Sequence, residues 1–475
     1  MTALHDLTAL EQAHAIRSGQ TTSVELTEHY LGRSEKHGDT VGAFVILTEE
    51  LALQQAEAAD ARVRSAADDD VLPPLLGVVC PVKDLNFVAG TPTRLGSAVV
   101  DITPFTDDNV VAKMRTAGLV FTGKTNTPEM GMPCYTEPDP DIAPPARTPW
   151  DLERSAGGSS GGAAAAVASG LAPIAHASDG GGSIRIPASV TGLVGIKPSR
   201  GRISCGPLRD SVGDLATSGP IARTVADCAA LLDAMSGQFP GDPFAALPPR
   251  YGTFLEAATR NPGRLKIGVC TTPSITHDGI HPDVQTAVDA TVAALEALGH
   301  EVVETQPPFT EWIRPTFTML WSSLSLLTPI MPEDEEQLRP LTRWLRDQGS
   351  KVTGNELAAG ISMIRVASRG AMMASYHLDA VVAPTIADLP AFVGQLRDDD
   401  DPAADFEAQV QYSPFCAAYN LTGQPAINVP MNWNSAGLPI GIQLVGRMFD
   451  EETIISIAAQ LEMAHSWLNL RPEIW

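Results

Sequence analysis

No stretch of this chain approaches 18 consecutive apolar residues, and its opening, MTALHDLTAL, lacks both a basic start and an apolar run of signal-peptide length. Neither a membrane span nor a secretory leader is expected, and the chain reads as cytoplasmic. Basic residues are scarce, with 32 Lys and Arg against 56 Asp and Glu for a formal charge of −24. A surface of that sign repels a phosphate backbone, which argues against nucleic acid as a partner. The six cysteines (Cys80, Cys134, Cys205, Cys228, Cys270 and Cys416) never fall in C-x-x-C spacing, so they suggest neither a zinc framework nor a disulfide scaffold. Aromatics reach only 5%, and no segment repeats. Set beside 40 Gly and 38 Pro, these shortages exclude a coiled coil or helical repeat and leave a loop-rich α/β protein.

What is present is organised by alternation. Residues 1–70 read as a helical region, with Thr22 and Ser23 as N-cap candidates, Gly38 as a stop and an Ala-rich helix from Glu49 to Ala67. Leu76–Val82 reads as a short buried strand ending at Lys83. Downstream, Asp108–Ala117 and Ser160–Ser169 read as helices. Leu119–Thr122, Ala172–Ala177, Leu193–Ile196, Leu378–Ala383 and Ile440–Val445 read as strands. Leu265–Val269, a helix with Val284, Val288, Thr291, Leu295 and Leu298 on one face, and Glu301–Val303 form a βαβ unit. The alternation predicts a central twisted mixed, mostly parallel sheet covered by helices on both faces. Three acid runs (Asp68–Asp70, Glu333–Glu336 and Asp398–Asp401) read as solvated loops, because consecutive carboxylates rarely converge on one ion. No metal site is expected.

Two segments carry the chemistry: Gly157-Gly-Ser-Ser-Gly-Gly162 and Ser178-Asp-Gly-Gly-Gly-Ser-Ile-Arg185. A flexible linker fits poorly, because the first runs straight into the helical Ala163–Ala166. A phosphate cradle lacks the Gly-Lys-Ser/Thr that should follow. Gly157-x-Ser159-x-Gly161 matches a nucleophile elbow, but the preceding Thr148-Pro-Trp-Asp-Leu-Glu-Arg-Ser155 is not an apolar strand.

These segments, with Pro187-Ala188, Gly195-Ile-Lys-Pro198, Gly123-Lys-Thr-Asn-Thr-Pro-Glu-Met130, Thr422–Pro430 and Gly437–Gln443, resemble the amidase-signature family of serine hydrolases. Ser183 lies 24 residues after Ser159, and Lys83 lies 76 before it, as in that family. The resemblance fades between about Thr305 and Ser413. It implies an amidase-signature catalytic domain over 71–475, with the core signature at about 76–205 and a variable substrate-pocket region at about 305–413. Free-standing bacterial amidases, including the nylon-oligomer cyclic-amide hydrolases, look most similar.

The resemblance assigns Ser183 as nucleophile, Ser159 as relay after a cis peptide bond, and Lys83 as base. Composition alone leaves Ser160 an equal candidate, and the 24-residue spacing is what selects Ser159. A lysine serves as base only when neutral. Lowering its pKa from about 10.4 to about 7 takes roughly 4–5 kcal/mol, which burial away from carboxylates supplies. Lys83 at a strand end is placed for this, whereas Lys113 among charged neighbours is not. Gly180, Gly181, Gly182 and Ser183 would present backbone N–H groups to an oxyanion. Gly158 eases the cis bond, and Asp179 with Arg185 forms an ion-paired scaffold. Ser178 stands where many relatives carry Thr. His176 reads as a satisfied core histidine, and Cys134 and Tyr135 are placed near the substrate channel. Tyr412, Phe415 and Cys416 are pocket or core, while Asn420, Gln424 and Asn428 fix loops.

The implied activity is hydrolysis of a small-molecule carboxylic amide through an acyl-enzyme, without cofactor, by a monomer or homodimer. Aryl amides, cyclic amides, carbamates and esters are all open as substrates. The alternative is the glutaminase subunit of a tRNA-dependent amidotransferase. Against it stand Ile186, where that subunit usually carries Gln, and Met132-Pro-Cys-Tyr-Thr-Glu137 in place of its Ser/Thr-rich segment.

Overall fold

Thr8 caps helix α1 (Ala9–Arg17) and Thr22 caps α2 (Ser23–Val41), each in a capping box with the glutamate three positions on, Glu11 and Glu25. The structure is a computed structural model that describes residues 3–67, 69–208, 212–276 and 279–475. Helix α2 does not stop at Gly38. That glycine is buried inside the helix, and the stop is Gly42, whose φ of 60° ends it in the left-handed region.

After strand β1 (Phe44–Leu47) and α3 (Glu49–Ser65), the expected strand at 76–82 is regular only at β2 (Val82–Lys83), with Val79 bridged to Val120 upstream. Helix α4 (Asn109–Thr116) leads to β3 (Gly123–Thr125), which lies between β1 and β2 in a small three-stranded sheet. Then follow α5 (Gly161–Ala168), β4 (Ile174–Asp179), α6 (Arg185–Thr191), β5 (Val194–Lys197), β6 (Thr217–Ala222), α7 (Val225–Met235) and α8 (Phe254–Ala257). The βαβ unit is β7 (Lys266–Val269), α9 (Pro282–Ala297) and β8 (Glu301–Glu304), and β7 and β8 pair in parallel. Four helices, α10 (Arg314–Leu324), α11 (Pro340–Ser350), α12 (Gly354–Ala374) and α13 (Pro402–Tyr412), surround β9 (Ala380–Pro384) in sequence. The chain closes with α14 (Ala417–Thr422), β10 (Ala426–Trp433), β11 (Pro439–Gly446) and α15 (Glu451–Ala464).

The main sheet has eight strands in the order β4-β6-β5-β10-β11-β9-β7-β8. It is mixed, as expected, but not mostly parallel: five of the seven pairings among the described residues are antiparallel. The cause lies in two strands the pattern hides. β6 carries Gly219 and Pro220, and β10 carries Pro430 at an irregularity in its register with β11, so neither reads as a strand. Each inserts antiparallel between the strands that do.

Alternate residues of β4 face opposite sides. Ile174 joins a core with α7, α9 and α15, while Ala175 and Ala177 join one with α2, α3 and α5. Helices therefore cover both faces. A third core, built on Phe317, Leu320, Trp321, Leu345, Phe406 and Val410, holds α10 to α13 together as a cap beside the end of β4.

The acid runs are more than solvated loops. Glu335 pairs with Arg346, Glu336 with Arg343, and Asp399 with Arg339 and Arg397, while Asp401 caps α13. Asp68 lies outside the described residues. Among the described residues no helix is long and apolar enough to cross a membrane.

Candidate active site

Strand β2 is held against β4 by two contacts. The His176 N–H donates to the Pro81 carbonyl at 3.1 Å, and the Lys83 N–H donates to His176 Nδ1 at 3.4 Å. This fixes where Lys83 begins. Its side chain is fully buried, and Nζ lies 2.8 Å from Ser159 Oγ, 3.1 Å from Ser178 Oγ and 3.3 Å from the Ser178 carbonyl. No carboxylate among the described residues hydrogen-bonds to it. Burial pushes the Lys83 amine well below its ordinary value, and the nearby Asp179 charge opposes this only in part. The three partners suit a neutral amine, with two N–H groups for the oxygens of Ser178 and a lone pair for the Ser159 hydroxyl.

Ser159 follows a cis peptide bond at Gly158–Ser159. A Cβ at Gly158 would lie 2.6 Å from the Tyr135 nitrogen, so only glycine admits this backbone. The structure separates Ser159 from Ser160. The Ser160 hydroxyl donates to the Ser178 carbonyl at 3.1 Å and accepts from the Ser178 N–H at 3.4 Å, which ties it to β4 and away from Lys83.

Ser183 sits on the turn between β4 and α6, where its neighbours wrap around the Asp179 carboxylate. That group accepts from the N–H groups of Gly182 (2.7 Å) and Ile184 (3.2 Å), from Arg185 at two oxygens (3.0 Å each) and from Asn420 (2.9 Å). Burial opposes ionisation of Asp179. The Arg185 guanidinium, helped by Lys197 and Asn420, outweighs it and holds the carboxyl far below the usual range. Arg185 spends its remaining donors on the Cys416 carbonyl, Gln443 and Asn420.

One expectation changes here. The Gly182 N–H is committed to Asp179 and cannot also serve an oxyanion. Gly182 is required instead by packing, since a Cβ there would lie 2.7 Å from Ile186 Cδ1 and 2.8 Å from Cys416 Cβ, at a φ of 134°. The N–H groups of Gly180, Gly181 and Ser183 take no partner among the described residues.

Two cavities meet at Ser183. One, of about 60 Å³, is walled by Cys134, Ile186, Phe317, Trp321 and Phe406 among others. The other, of about 200 Å³, contains Ser159, Ser178 and Gly180 in its wall. Cys134 thus lines a cavity, but Tyr135 lines neither. Its backbone fills the space beside Gly158, and its hydroxyl donates to Asp405 at 2.6 Å.

His176 is buried, accepts from the Lys83 N–H and contacts Ser218 Oγ at 3.2 Å. Burial, with Lys83 close by, pushes it down to about 3, so it is a neutral core histidine. Tyr412, Phe415 and Cys416 belong to the core and line neither cavity. Asn420, Gln424 and Asn428 tie loops through the carbonyls of Leu215, Gly446 and Leu193.

Sequence reasoning missed the aromatic wall. Phe317 and Trp321 stack with centroids 5.5 Å apart, and Trp321 lines both cavities. Their i,i+4 spacing marks one helix face but says nothing of what that face meets. It also gave Ser178 no part in holding Lys83, which two of its oxygens do.

A family model described as Amidase matches residues 25–455. A putative amidase of Synechocystis sp. is 36% identical over 461 residues, covering 96% of this chain and 88% of that protein. The 6-aminohexanoate-cyclic-dimer hydrolase of Paenarthrobacter ureafaciens is 35% identical over 491 residues, covering 98% and 96%. A solved structure of 6-aminohexanoate cyclic dimer hydrolase with substrate superimposes with a TM-score of 0.89 at 32% identity, covering 99% of both chains.

Proposed function

The chain belongs to the amidase-signature family and is an amide-hydrolysing enzyme, and from that premise we propose that it works through an acyl-enzyme on Ser183, with Ser159 as relay and Lys83 as base. The observation that carries this reading is the contact between a buried Lys83 amine, depressed by that burial, and Ser159 Oγ at 2.8 Å.

No hydrogen bond joins Ser183 Oγ to Ser159 Oγ among the described residues; both line one cavity, and the proposed relay requires that link to form when substrate is in place. Ser183 Oγ then attacks the carbonyl carbon as its proton passes to Ser159 and the Ser159 proton passes to Lys83. The N–H groups of Gly180, Gly181 and Ser183 receive the oxyanion, each such donor being worth about 3–4 kcal/mol. As the C–N bond breaks, the proton returns from Lys83 through Ser159 to the departing nitrogen. Water then attacks the acyl-enzyme by the same relay and releases the acid. These steps require no metal or organic cofactor.

The Paenarthrobacter ureafaciens relative is named a hydrolase of the 6-aminohexanoate cyclic dimer, and we carry cyclic amides over to this chain as a candidate substrate class, beside aryl amides, carbamates and esters. Treatment with a fluorophosphonate, followed by peptide mass mapping, tests the nucleophile. One adduct on Ser183 with parallel loss of amidase activity is the expected result. Inactivation by an adduct elsewhere, with Ser183 unmodified, would overturn the reading.

A further inference from the structure

The two cavities at Ser183 differ in what else lines them, and the difference fixes which way round an amide binds. In any amide cleavage the departing nitrogen must receive a proton, so the proton donor and the amine lie on the same side of the scissile bond. Ser159 and Ser178, the residues that hold Lys83 Nζ, line the cavity of about 200 Å³ and are absent from the lining of the one of about 60 Å³. Only Met132, Ser183 and Trp321 line both.

We infer that the smaller cavity receives the acyl group and the larger receives the amine, so that the enzyme selects amides of small apolar acids with larger amines, and that Trp321 is the wall that enforces the division. The inference rests on the proposed relay, because it is the relay that tells the two cavities apart.

The walls agree with this assignment. The smaller cavity is bounded by Ile186, Ile275, Phe317, Phe406 and Val410. Gln409 also lines it but is spent on its surroundings, its amide donating to Asp405 and its carbonyl accepting from the Cys134 N–H. An acyl group there meets mostly hydrocarbon, with the Ser413 hydroxyl and the Cys134 thiol as further polar groups of the wall. The larger cavity adds Asn86, Thr217 and Ser218 to its apolar members. Trp321 is fixed between the two by its stack with Phe317, and its ring sits where a Cβ on Gly180 would come within 3.1 Å. Trp321 lines both cavities, but it stacks on Phe317, which walls only the smaller one, so loss of its bulk should widen the acyl side most.

Two isomeric amides put the same bulk on opposite sides of the bond: N-hexylacetamide and N-ethylhexanamide. Their leaving amines are both primary alkylamines, so chemical reactivity is nearly matched. A hydrocarbon chain that does not fit costs about tenfold or more in kcat/KM, and N-hexylacetamide is expected to be preferred by at least that factor. Trp321→Ala should narrow the preference by raising turnover of N-ethylhexanamide, while Trp321→Phe, which keeps a stack on Phe317, should narrow it less. Equal turnover of the isomers, or preference for N-ethylhexanamide, overturns the inference. So does a preference unchanged in a folded Trp321→Ala protein, judged by near-ultraviolet circular dichroism. If that variant does not fold, the isomer pair on the unmodified enzyme and Trp321→Phe still decide. Ser183→Ala serves as the control that separates the two proposals. Loss of all turnover with the wrong isomer preference sinks only the orientation, whereas retained turnover sinks the nucleophile itself.

Discussion

Lys83 Nζ and Ser159 Oγ lie 2.8 Å apart, with Lys83 fully buried and Ser159 at 2% exposure. A charged lysine in such a place would need a carboxylate within hydrogen-bond reach. Asp179, whose charge acts on Lys83, is itself engaged by Arg185, Asn420 and two backbone N–H groups. That burial, without a hydrogen-bonded carboxylate among the described residues, supports the proposed role of Lys83 as a neutral base.

Removing either end of the relay tests this directly. Lys83→Ala and Ser183→Ala should each lower kcat on a chromogenic anilide by about 10⁴-fold or more, the scale seen when members of a catalytic unit are deleted. Ser159→Ala should fall nearly as far but keep a trace, since water can bridge a missing hydroxyl. Steady-state kinetics with a far-ultraviolet spectrum for each variant provides the check. Normal turnover by a folded Lys83→Ala protein would remove the base from the mechanism.

The same burial sets a pH dependence. In the proposed relay Lys83 acts as the neutral amine, so kcat/KM should rise with pH along an acidic limb lying well below the ordinary lysine value of 10.5. Stability should move in the same direction. Between the depressed native pKa and 10.5 the unfolded chain holds a proton that the native chain does not, so falling pH favours unfolding through this residue. A limb centred near 10 in the pH–rate profile would show that Lys83 is not depressed.

The N-terminal helices, the βαβ unit and the strands at Leu265, Leu378 and Ile440 were legible from caps, composition and short apolar runs. Strand β1 (Phe44–Leu47), however, falls inside residues 1–70, which read as helical, because a four-residue strand between two helices is too short to show a period. Strands β6 and β10 were not legible either, since Pro220 and Pro430 interrupt them in ways that only pairing with neighbours absorbs, and the sheet's direction pattern was misjudged with them. At the site, the resemblance to the amidase-signature family, carried by the Gly/Ser segments and their spacing, nominated Lys83, Ser159 and Ser183. Nothing local could show that Gly182 donates inward to Asp179, or that Tyr135 turns to Asp405 while Cys134 faces a cavity. Those outcomes depend on contacts spanning hundreds of residues, such as Asp179 with Asn420 and Tyr135 with Asp405.

Asp179 holds the turn that carries Ser183 by charge as well as shape, and Asp179→Asn separates the two. The substitution leaves the Arg185 guanidinium buried without its counter-ion, a loss of about 3–5 kcal/mol by analogy with other broken buried pairs. The native enzyme draws stability from Asp179 that is fully present above the unfolded carboxyl value of 3.8 and disappears only as pH falls through the lower native value. The variant should therefore unfold at a markedly lower temperature at neutral pH, and the gap to the native enzyme should shrink in strong acid. Equal melting temperatures at pH 7 would show that the pair contributes nothing net.

Two of the glycines before Ser183, Gly180 and Gly182, should respond differently to the same methyl group. At Gly182 the new carbon meets Ile186 and Cys416 at under 3 Å, and the φ of 134° is one that alanine rarely adopts. Gly182→Ala should cost roughly 1–3 kcal/mol in overpacking, with a backbone term of similar size, so it should appear as lost stability. At Gly180 the nearest atom is the edge of the Trp321 ring at 3.1 Å, and no φ penalty applies. Gly180→Ala should leave the melting temperature within a few degrees of the native one, because the ring can give way by a few tenths of an ångström. It should still impair turnover, since the displaced ring and the added methyl would crowd the proposed oxyanion site. Melting curves beside kcat for both variants decide the matter. A Gly180→Ala enzyme with full activity would mean that this N–H and the Trp321 edge lie outside the reacting centre.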